Sequence, residues 1–579
     1  MESPAARNAL VSHGLKYSNT VAHRLAAGLH RHGVQVLFGQ SLPSMVHLAG
    51  KAHGIRQVAY RQENTGGYMA DAYARVSGKV GVVTAQNGPA AALLVAPLAE
   101  ALKASVPVVA LVQDVNRDQT DRNAFQELDH ESMFRPVSKW VRRVTVASRI
   151  DDYLDMAVTA ATSGRPGPAV LLLPADLLLE KLPESVADHR HMALGSYPLD
   201  RPAPCPVAIE EAAGKIAAAR NPVVIAGGGV HASGASQQLQ ALQELAHLPV
   251  ATTVMGKGSV NETDALSMGV ASYFMGHNGA TRHLRHMVQE ADVVVLVGNR
   301  TNQNGTDSWA LYPRNATYIH IDIDPQEVGR NYEAIRLVGD ARTTLDALLA
   351  ALKNTDLSAR AQARASVEAA IAKGKQAHEE EAADLTGSTA SPLRPERIMR
   401  EIDARLTPQD IVVADASYSS IWIANYIRAK AAGQRFITPR GLAGLGWGFP
   451  MAIGARAAQP DARVFCVVGD GGFAHAWAEL ETAVRMKMPI TLVVLNNGIL
   501  GYQKHAENIK FGEYTDACEF VSVDHAAIAK AVGARGVRAE SVQQLQQALD
   551  DAAGYEGVTL IDAVTDPNAF PPVTWYEAS

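Results

Sequence analysis

The sequence contains little cysteine, and its cysteines follow no recognisable pairing pattern. Cys205, Cys466 and Cys518 are the only three in 579 residues, and no CxxC pair occurs. An odd, scattered count argues against a disulfide framework and against a cysteine-rich zinc site, and it suits a reducing compartment. We therefore expect a cytoplasmic protein.

Long apolar runs, a secretory signal and a strong charge are missing as well. No apolar run approaches the ~18 residues that a membrane helix needs. The first twenty residues lack a basic segment followed by an apolar one. The net charge of −6 at pH 7 disfavours a nucleic-acid-binding protein. We expect neither a membrane nor a nucleic acid among its partners.

The chain does have apolar segments throughout its length. Apolar residues make up 47% of it, which is enough for several cores, and about 150 residues per domain suggests three or four domains. Strand-like apolar runs alternate with helical patterns, which predicts an α/β fold of three domains, each a mainly parallel sheet flanked by helices. The predicted segments are a first domain over 1–185, a central domain over 186–353, a helical linker over 354–395 and a last domain over 396–579.

Two polar clusters flank one predicted βαβ unit in the last domain. The apolar run 464–468 leads into Gly469-Asp470-Gly471-Gly472, and a second run ends at Asn496-Asn497. Ligands bind at the carboxyl ends of parallel strands, and glycines let a phosphate approach the backbone. Asp470 and Asn497 offer the hard oxygen atoms that Mg²⁺ prefers. The pattern predicts a metal–diphosphate site, and the alternative is an ordinary glycine-rich turn.

Glu63 is the candidate catalytic acid of the first domain. It follows the extended run Gln57-Val58-Ala59-Tyr60 and precedes a helical segment that contains Gly66 and Gly67. Burial at a strand end raises the pKa of a carboxyl group, and a raised pKa suits proton transfer near neutrality. The alternative is a glutamate that is favoured at a helix N-terminus by the helix dipole.

Other short segments accompany these clusters in an order that is typical of one known family. They are Arg61-Gln62-Glu63, Asn87-Gly88-Pro89, Ala124-Phe125-Gln126-Glu127, Met255-Gly256-Lys257-Gly258, His320-Ile321-Asp322-Ile323-Asp324-Pro325 and Gly446-Trp447-Gly448-Phe449-Pro450. With the Asp470…Asn497 unit, the chain resembles, over nearly its whole length, the acetolactate synthase-like enzymes (large catalytic subunit type) that depend on thiamine diphosphate (ThDP). The resemblance implies a pyrimidine-binding first domain, a nucleotide-binding-like central domain and a diphosphate-binding last domain.

The resemblance also implies roles for individual residues. Glu63 would hydrogen-bond the aminopyrimidine ring of ThDP and promote loss of the thiazolium C2 proton. Asp470, the Asn497 side chain and the Ile499 carbonyl would hold Mg²⁺ against the diphosphate. Gln126 would face the substrate. Further cofactor contacts implied in this way are Tyr418, Ser419, Leu445, Gly469, Gly471 and Gly472.

Two of the residues in the last domain have alternative interpretations. Leu445 falls where the family places a bulky residue under the cofactor, and the alternative is a leucine of the core. His505 falls near the substrate pocket, where it would act as an acid–base group, and the alternative is a solvated histidine on a helix.

The resemblance implies an enzyme that makes or breaks a C–C bond next to the carbonyl of a 2-oxo acid, with small 2-oxo acid or aldehyde substrates. Its active sites would be shared between the subunits of a homodimer or homotetramer. One alternative is a 2-oxo acid decarboxylase of the benzoylformate or phenylpyruvate type, and another is a 2-hydroxyacyl-CoA lyase. A regulatory homologue that binds ThDP without catalysis is the non-enzyme alternative.

Three departures from the family pattern affect the expected substrate and a second cofactor. Leu42 replaces a glycine that lines the substrate pocket, and Ala506 replaces the tryptophan that selects a second 2-oxo acid. Only Arg300 remains of the arginine-rich loop that binds FAD. FAD therefore stays a candidate ligand of Gly227-Gly228-Gly229 and of Asp322 and Asp324, beside the alternatives of an ADP or coenzyme-A moiety and of an empty groove.

Overall fold

The computed structural model describes residues 19–183 and 189–576, which form two compact units. One unit ends at Leu199 and the other begins at Asp200. The first contains one sheet and the second contains two, and each sheet has six parallel strands. The predicted α/β class, with three mainly parallel sheets flanked by helices, is confirmed. The segment boundaries at residues 185, 353 and 395 stay predictions.

The sheet of the first unit has the strand order β2-β1-β3-β4-β6-β5. Its central strands are continuous apolar runs because helices cover both faces of a parallel sheet. The strands are β1 Val36–Phe38, β2 Arg56–Val58, β3 Gly81–Ala85, β4 Val108–Asp114, β5 Trp140–Arg143 and β6 Ala169–Pro174. The helices are α1 Val21–Arg31, α2 Ser44–Ala52, α3 Glu63–Ser77, α4 Pro89–Leu93, α5 Val95–Ala104, α6 His130–Phe134, α7 Ile150–Thr162 and α8 Ala175–Leu179.

Helix α3 contains two glycines because two neighbouring side chains press against its backbone. A Cβ atom at Gly66 would lie 2.2 Å from the Tyr60 ring, and one at Gly67 would lie 2.4 Å from Pro97. The sequence predicts that these glycines admit another backbone or a ligand. The structure shows instead that they admit side chains of the same unit, so that α3 packs closely on its neighbours.

The central sheet has the strand order β12-β11-β10-β7-β8-β9. Its strands are β7 Pro222–Ala226, β8 Val250–Thr252, β9 Ser267–Val270, β10 Val293–Val297, β11 Thr317–Asp322 and β12 Ala334–Val338. Its helices are α9 Pro206–Ala218, α10 Gly229–Ser233, α11 Ser236–Leu245, α12 Arg285–Gln289 and α13 Ala341–Leu352. One face of the sheet packs on α9, α11 and α13 through apolar side chains, which form a core of their own.

The predicted linker contains a 24-residue helix, α14 Ser358–Glu381, and the short helix α15 Ala383–Gly387. Most of α14 is polar, and Arg360 anchors its first turn. The Arg360 side chain is buried and donates hydrogen bonds to the carbonyls of Arg220 and His247, both at 3.1 Å. The linker is therefore fastened to the central domain at its start.

The last sheet has the strand order β14-β13-β15-β16-β18-β17, which brings β13, β15 and β16 side by side. Its strands are β13 Ile411–Ala414, β14 Phe436–Ile437, β15 Val464–Gly469, β16 Thr491–Asn496, β17 Arg535–Ala539 and β18 Thr559–Val564. Its helices are α16 Pro395–Arg405, α17 Tyr418–Tyr426, α18 Gly448–Ala458, α19 Asp470–Phe473, α20 Glu479–Arg485, α21 Gly501–Phe511, α22 His525–Ala531 and α23 Val542–Ala553.

Candidate active site

A cavity of about 570 Å³ opens at the carboxyl edge of the last sheet. Because β13, β15 and β16 are parallel neighbours, the loops that follow them meet at this edge. The cavity brings together every predicted cofactor residue of the last domain. These are Tyr418, Ser419, Leu445, Gly469, Asp470, Gly471, Gly472, Asn497 and Ile499.

Asp470 and Asn497 lie at the ends of β15 and β16. One carboxylate oxygen of Asp470 accepts the Gly498 N–H at 2.7 Å and the other accepts the Gly471 N–H at 2.9 Å. The Asn497 side-chain oxygen accepts the Ile499 N–H at 3.2 Å. Burial raises the pKa of Asp470 to about 6, although the backbone donors oppose the shift. The site therefore presents a buried carboxylate that a nearby cation would stabilise.

The donor set fits Mg²⁺. A carboxylate, a carboxamide oxygen and a backbone carbonyl are hard ligands, and Mg²⁺ completes its coordination with water and phosphate oxygens. The described residues contain no cluster of three histidine, cysteine, aspartate or glutamate side chains that could hold a metal. That finding is compatible with this site, because two of its three predicted donors are of other types.

The glycines beside Asp470 also fit a diphosphate. A Cβ atom at Gly469 would meet no other atom within 4 Å, so the backbone is open towards the cavity there. At Gly472 a Cβ atom would lie 2.2 Å from a carboxylate oxygen of Asp415. Gly472 is thus needed for the close approach of two loops, whereas Gly469 leaves space for a ligand.

Asp415 shapes the loop that carries Leu445. Its carboxylate is buried and accepts the backbone N–H groups of Gly446, Trp447 and Gly448 at 2.9, 3.1 and 3.1 Å. Leu445 is half-buried and lines the cavity, so it is not part of the closed core. The sequence marks Asp415 only as a strand end, because its partners lie some thirty residues further along the chain.

His505 does not line the cavity, but it contacts Tyr418, which does. Its Nε2–H donates to the Pro567 carbonyl at 3.2 Å, so its Nδ1 accepts the Tyr418 hydroxyl at 2.7 Å. The Tyr576 hydroxyl lies 2.9 Å from that of Tyr418, and the Phe570 ring stacks on the imidazole. Burial lowers the pKa of His505. His505 is therefore a buried neutral side chain rather than a solvated one, and its acid–base role stays a prediction.

Glu63 and Gln126 belong to the first unit. Glu63 is the first residue of α3 and is half-buried, so it has both the partial burial and the helix N-terminal position considered above. Gln126 has a positive φ of 61°, and its side-chain oxygen accepts the amide N–H of Gln86 at 2.8 Å. The Asn87 side chain donates to the Gln126 carbonyl at 3.1 Å. These bonds hold Gln126 beside the residues that follow β3.

The glycine triplet of the central domain packs against another strand end. Cβ atoms at Gly227 and Gly229 would lie 2.2 and 2.6 Å from backbone atoms of Gly298. The Gly229 N–H also donates to the Gly298 carbonyl at 3.1 Å. The space above these two glycines is therefore filled by backbone rather than open for a phosphate. FAD binding stays a prediction, to which this feature adds no support.

Sequence reasoning missed three residues that line the same cavity. Tyr273 and Asn304 come from the central domain, and Arg440 follows β14. No local motif marks them, since they meet only because the central and last domains form one compact unit.

Three family models match the chain: "Thiamine pyrophosphate enzyme, N-terminal TPP binding domain" over residues 19–133, "central domain" over 209–348 and "C-terminal TPP binding domain" over 415–563. The chain belongs to the thiamine pyrophosphate enzymes. The resemblance seen in the sequence is confirmed, since the C-terminal model spans the cavity loops from Asp415 onward.

The relatives of the chain point to one branch of these enzymes. The probable acetolactate synthase large subunit of Methanocaldococcus jannaschii is 31% identical, over 95% of this chain and 93% of that protein. That of Methanococcus aeolicus is 30% identical, over 95% and 92%. The acetolactate synthase large subunit of Parasynechococcus marenigrum is 30% identical, over 93% and 86%. This thiamine pyrophosphate enzyme is thus similar to acetolactate synthase large subunits.

No helix in the described part of the chain is both long enough and apolar enough to cross a membrane.

Proposed function

We propose that this thiamine pyrophosphate enzyme uses ThDP and Mg²⁺ to remove CO2 from one 2-oxo acid and to join the remaining carbon fragment to a second carbonyl compound, as an acetolactate synthase-like carboligase. The observation that carries the proposal is the cavity in which Asp470, Asn497 and the open Gly469 backbone converge with Leu445. The relatives named above support the ligase over the decarboxylase and CoA-lyase alternatives.

Some residues of the chain would bind the cofactor and the metal, and one would transfer a proton. When bound, ThDP supplies a nucleophilic carbon and an electron sink. Asp470, Asn497 and the Ile499 carbonyl would hold Mg²⁺, and the glycine backbone would admit the diphosphate. Leu445 would support the cofactor from one side. Glu63 would exchange a proton with the cofactor through its carboxylate.

We further propose a homodimer or homotetramer in which Glu63 of one subunit serves the metal site of another, in a cytoplasmic setting. The family resemblance supports the shared site. The free state of Cys205, Cys466 and Cys518 supports a reducing compartment. Sedimentation at several protein concentrations tests the assembly, and a monomer with full activity would contradict it.

The test of function is to incubate the protein with ThDP, Mg²⁺ and a panel of 2-oxo acids, and to identify the products by mass. A carboligase yields a coupled hydroxy-keto acid, whereas a decarboxylase yields the aldehyde alone. In a competition between acceptors, we expect no strong preference for 2-oxobutyrate over pyruvate. Ala506 stands where the selecting tryptophan would pack, and pocket differences of this kind change preference by about 1–3 kcal/mol.

FAD remains a separate question, and the colour of the purified protein answers it. Because carbonyl transfer needs no net oxidation, we expect no redox role for a flavin. A yellow protein, or one that takes up added FAD, would establish binding. A colourless protein without measurable FAD affinity would agree with the packing of Gly227 and Gly229 against Gly298.

A further inference from the structure

Arg440 lines the cavity that also contains the metal cluster. With Tyr273, Asn304 and Tyr502 it forms part of the cavity wall. Its guanidinium donates a hydrogen bond to the Ser420 hydroxyl, and its Cζ lies 5.2 Å from the centre of the Phe274 ring. Burial raises the pKa of the Tyr502 hydroxyl to about 12, and the nearby Arg440 charge opposes that shift. The positively charged Arg440 guanidinium therefore lies near the Tyr502 hydroxyl in this part of the cavity.

The partners of Arg440 differ from those of other arginines in the last domain. Arg463 pairs with Asp410 at 2.6 Å, and Arg538 pairs with Asp562 at 3.0 Å. Arg440 instead contacts a hydroxyl and an aromatic ring. Its Nε is buried and has no hydrogen-bond partner among the described residues.

A buried donor without an acceptor is costly, and a guanidinium matches a carboxylate with two parallel hydrogen bonds. An anion in the cavity would satisfy the Arg440 Nε–H and balance its charge. The chemistry of this wall therefore favours an anionic ligand whose apolar part contacts the aromatic rings.

Arg440 follows a strand other than those that carry the metal donors. The sheet order places β14 two strands from β15 and three from β16, and Asp470 and Asn497 lie at the ends of those two strands. Arg440 contacts Ser420, next to the predicted cofactor residue Ser419, so the diphosphate and a substrate carboxylate are the two anions to consider here. Because Asp470, Asn497 and the Mg²⁺ that they would hold already serve the diphosphate, we assign the anion at Arg440 to the substrate.

We propose that Arg440 is a specificity-determining residue that binds a carboxylate of the substrate at the wall formed with Tyr273, Asn304 and Tyr502. The proposal rests on the proposed function in that it assumes a 2-oxo acid substrate. That carboxylate is either the one next to the reacting carbonyl or a second one at the far end of a dicarboxylic acid. Both present the same chemistry to the guanidinium.

The experiment measures ligand binding to the full chain loaded with ThDP and Mg²⁺. The probes are pyruvate, the non-reacting dicarboxylate glutarate, and the pair 2-oxoglutarate and 2-oxoglutaramate, which differ only in the charge of the far end. Binding is followed by the intrinsic tryptophan fluorescence, to which Trp422 in the lining of the same cavity contributes, and ThDP affinity is measured separately by calorimetry. The variants are Arg440→Gln and Arg440→Lys. The matched control is Arg485→Gln, which removes an arginine that pairs with Glu481 on the surface of α20.

We expect Arg440→Gln to weaken carboxylate binding about 10- to 100-fold, the range for a lost hydrogen bond to a charged group. Arg440→Lys should recover part of the loss, and ThDP affinity should stay close to that of wild type, because the proposal assigns Arg440 to the substrate rather than to the diphosphate. Weaker binding of pyruvate, 2-oxoglutarate and 2-oxoglutaramate alike would assign the carboxylate next to the carbonyl. Weaker binding of glutarate and 2-oxoglutarate, with 2-oxoglutaramate unaffected, would assign the far one.

Three results would overturn the proposal. They are unchanged carboxylate binding in Arg440→Gln, no binding of any of the four probes to the wild-type protein, and a loss of ThDP affinity equal to the loss of carboxylate affinity. The last result would make Arg440 a diphosphate ligand. A failure of the proposed function has a different signature, because wild-type protein would then bind carboxylates through Arg440 and yield no product from any 2-oxo acid.

Discussion

Replacing Asp415 tests how the loop that carries Leu445 is held. Its carboxylate accepts three backbone N–H groups, those of Gly446, Trp447 and Gly448, and burial raises its pKa. Hydrogen bonds to a charged group contribute about 1.5–3 kcal/mol each. Burying the carboxylate offsets part of that sum, so we expect Asp415→Ala to destabilise the folded protein by about 3 kcal/mol.

Asp415→Asn should have a smaller effect than Asp415→Ala. It keeps one oxygen, which serves Trp447 and Gly448, whereas its NH2 group faces the Gly446 N–H and cannot accept a hydrogen bond from it. Because the loop must be ordered for the cofactor to bind, we expect ThDP affinity to fall about tenfold in the alanine variant, which corresponds to about 1.4 kcal/mol. The asparagine variant should lose less.

The assays are urea unfolding and calorimetry of ThDP binding in the presence of Mg²⁺. Asp461→Asn, at an exposed aspartate of the same domain, is the control and should leave both quantities unchanged. If Asp415→Ala unfolded at the wild-type urea concentration and bound ThDP with wild-type affinity, the claim that Asp415 positions this loop would be wrong.

Three further predictions concern the metal, the catalytic acid and the pH dependence of stability. Asp470→Ala and Asn497→Ala should each abolish Mg²⁺-dependent ThDP retention in calorimetry, because each removes a hard oxygen ligand; wild-type affinity in either would exclude that residue as a ligand. Glu63→Gln should fold and bind ThDP but lose about 10²–10⁴-fold in rate, and normal exchange of the cofactor C2 hydrogen in this variant would rule out the role. Burial lowers the pKa of His320 from 6.5 to about 4, so the unfolded chain binds the proton more readily than the folded one. The folded protein therefore loses stability as the pH falls from 7 through 6.5 towards 4. The loss in the free energy of unfolding should be about 2 kcal/mol at pH 5. Urea unfolding at pH 7 and pH 5 should show a smaller pH effect in His320→Asn than in wild type, and equal pH effects would contradict the assignment.

The sequence predicts best those elements whose signal is local. Strands β15 and β16 are unbroken apolar runs that end in polar clusters, so both the strands and the meeting of Asp470 with Asn497 follow from the pattern. Strand β5 is missed because Arg142 and Arg143 break its apolar run, and β14 is missed because it has only two residues.

Features that depend on distant parts of the chain are beyond a local pattern. The loop that Asp415 holds lies some thirty residues later in the sequence. Arg440 contacts Ser420 and, in the central domain, the ring of Phe274. The glycines at 227 and 229 suggest a phosphate site in the sequence, whereas the fold uses them to admit the backbone of Gly298. In each case the partner is set by packing between elements rather than by neighbouring residues.

The central claim is that ThDP and Mg²⁺ bind at the carboxyl edge of the last sheet. A crystal structure of the protein grown with both ligands tests this claim most directly. We predict a metal ion bonded to oxygen atoms of Asp470, Asn497 and Ile499 at about 2.0–2.1 Å, with the diphosphate against the backbone of Gly469. Diphosphate bound elsewhere, such as beside Gly228 in the central domain, or a metal ion without these ligands, would contradict the account.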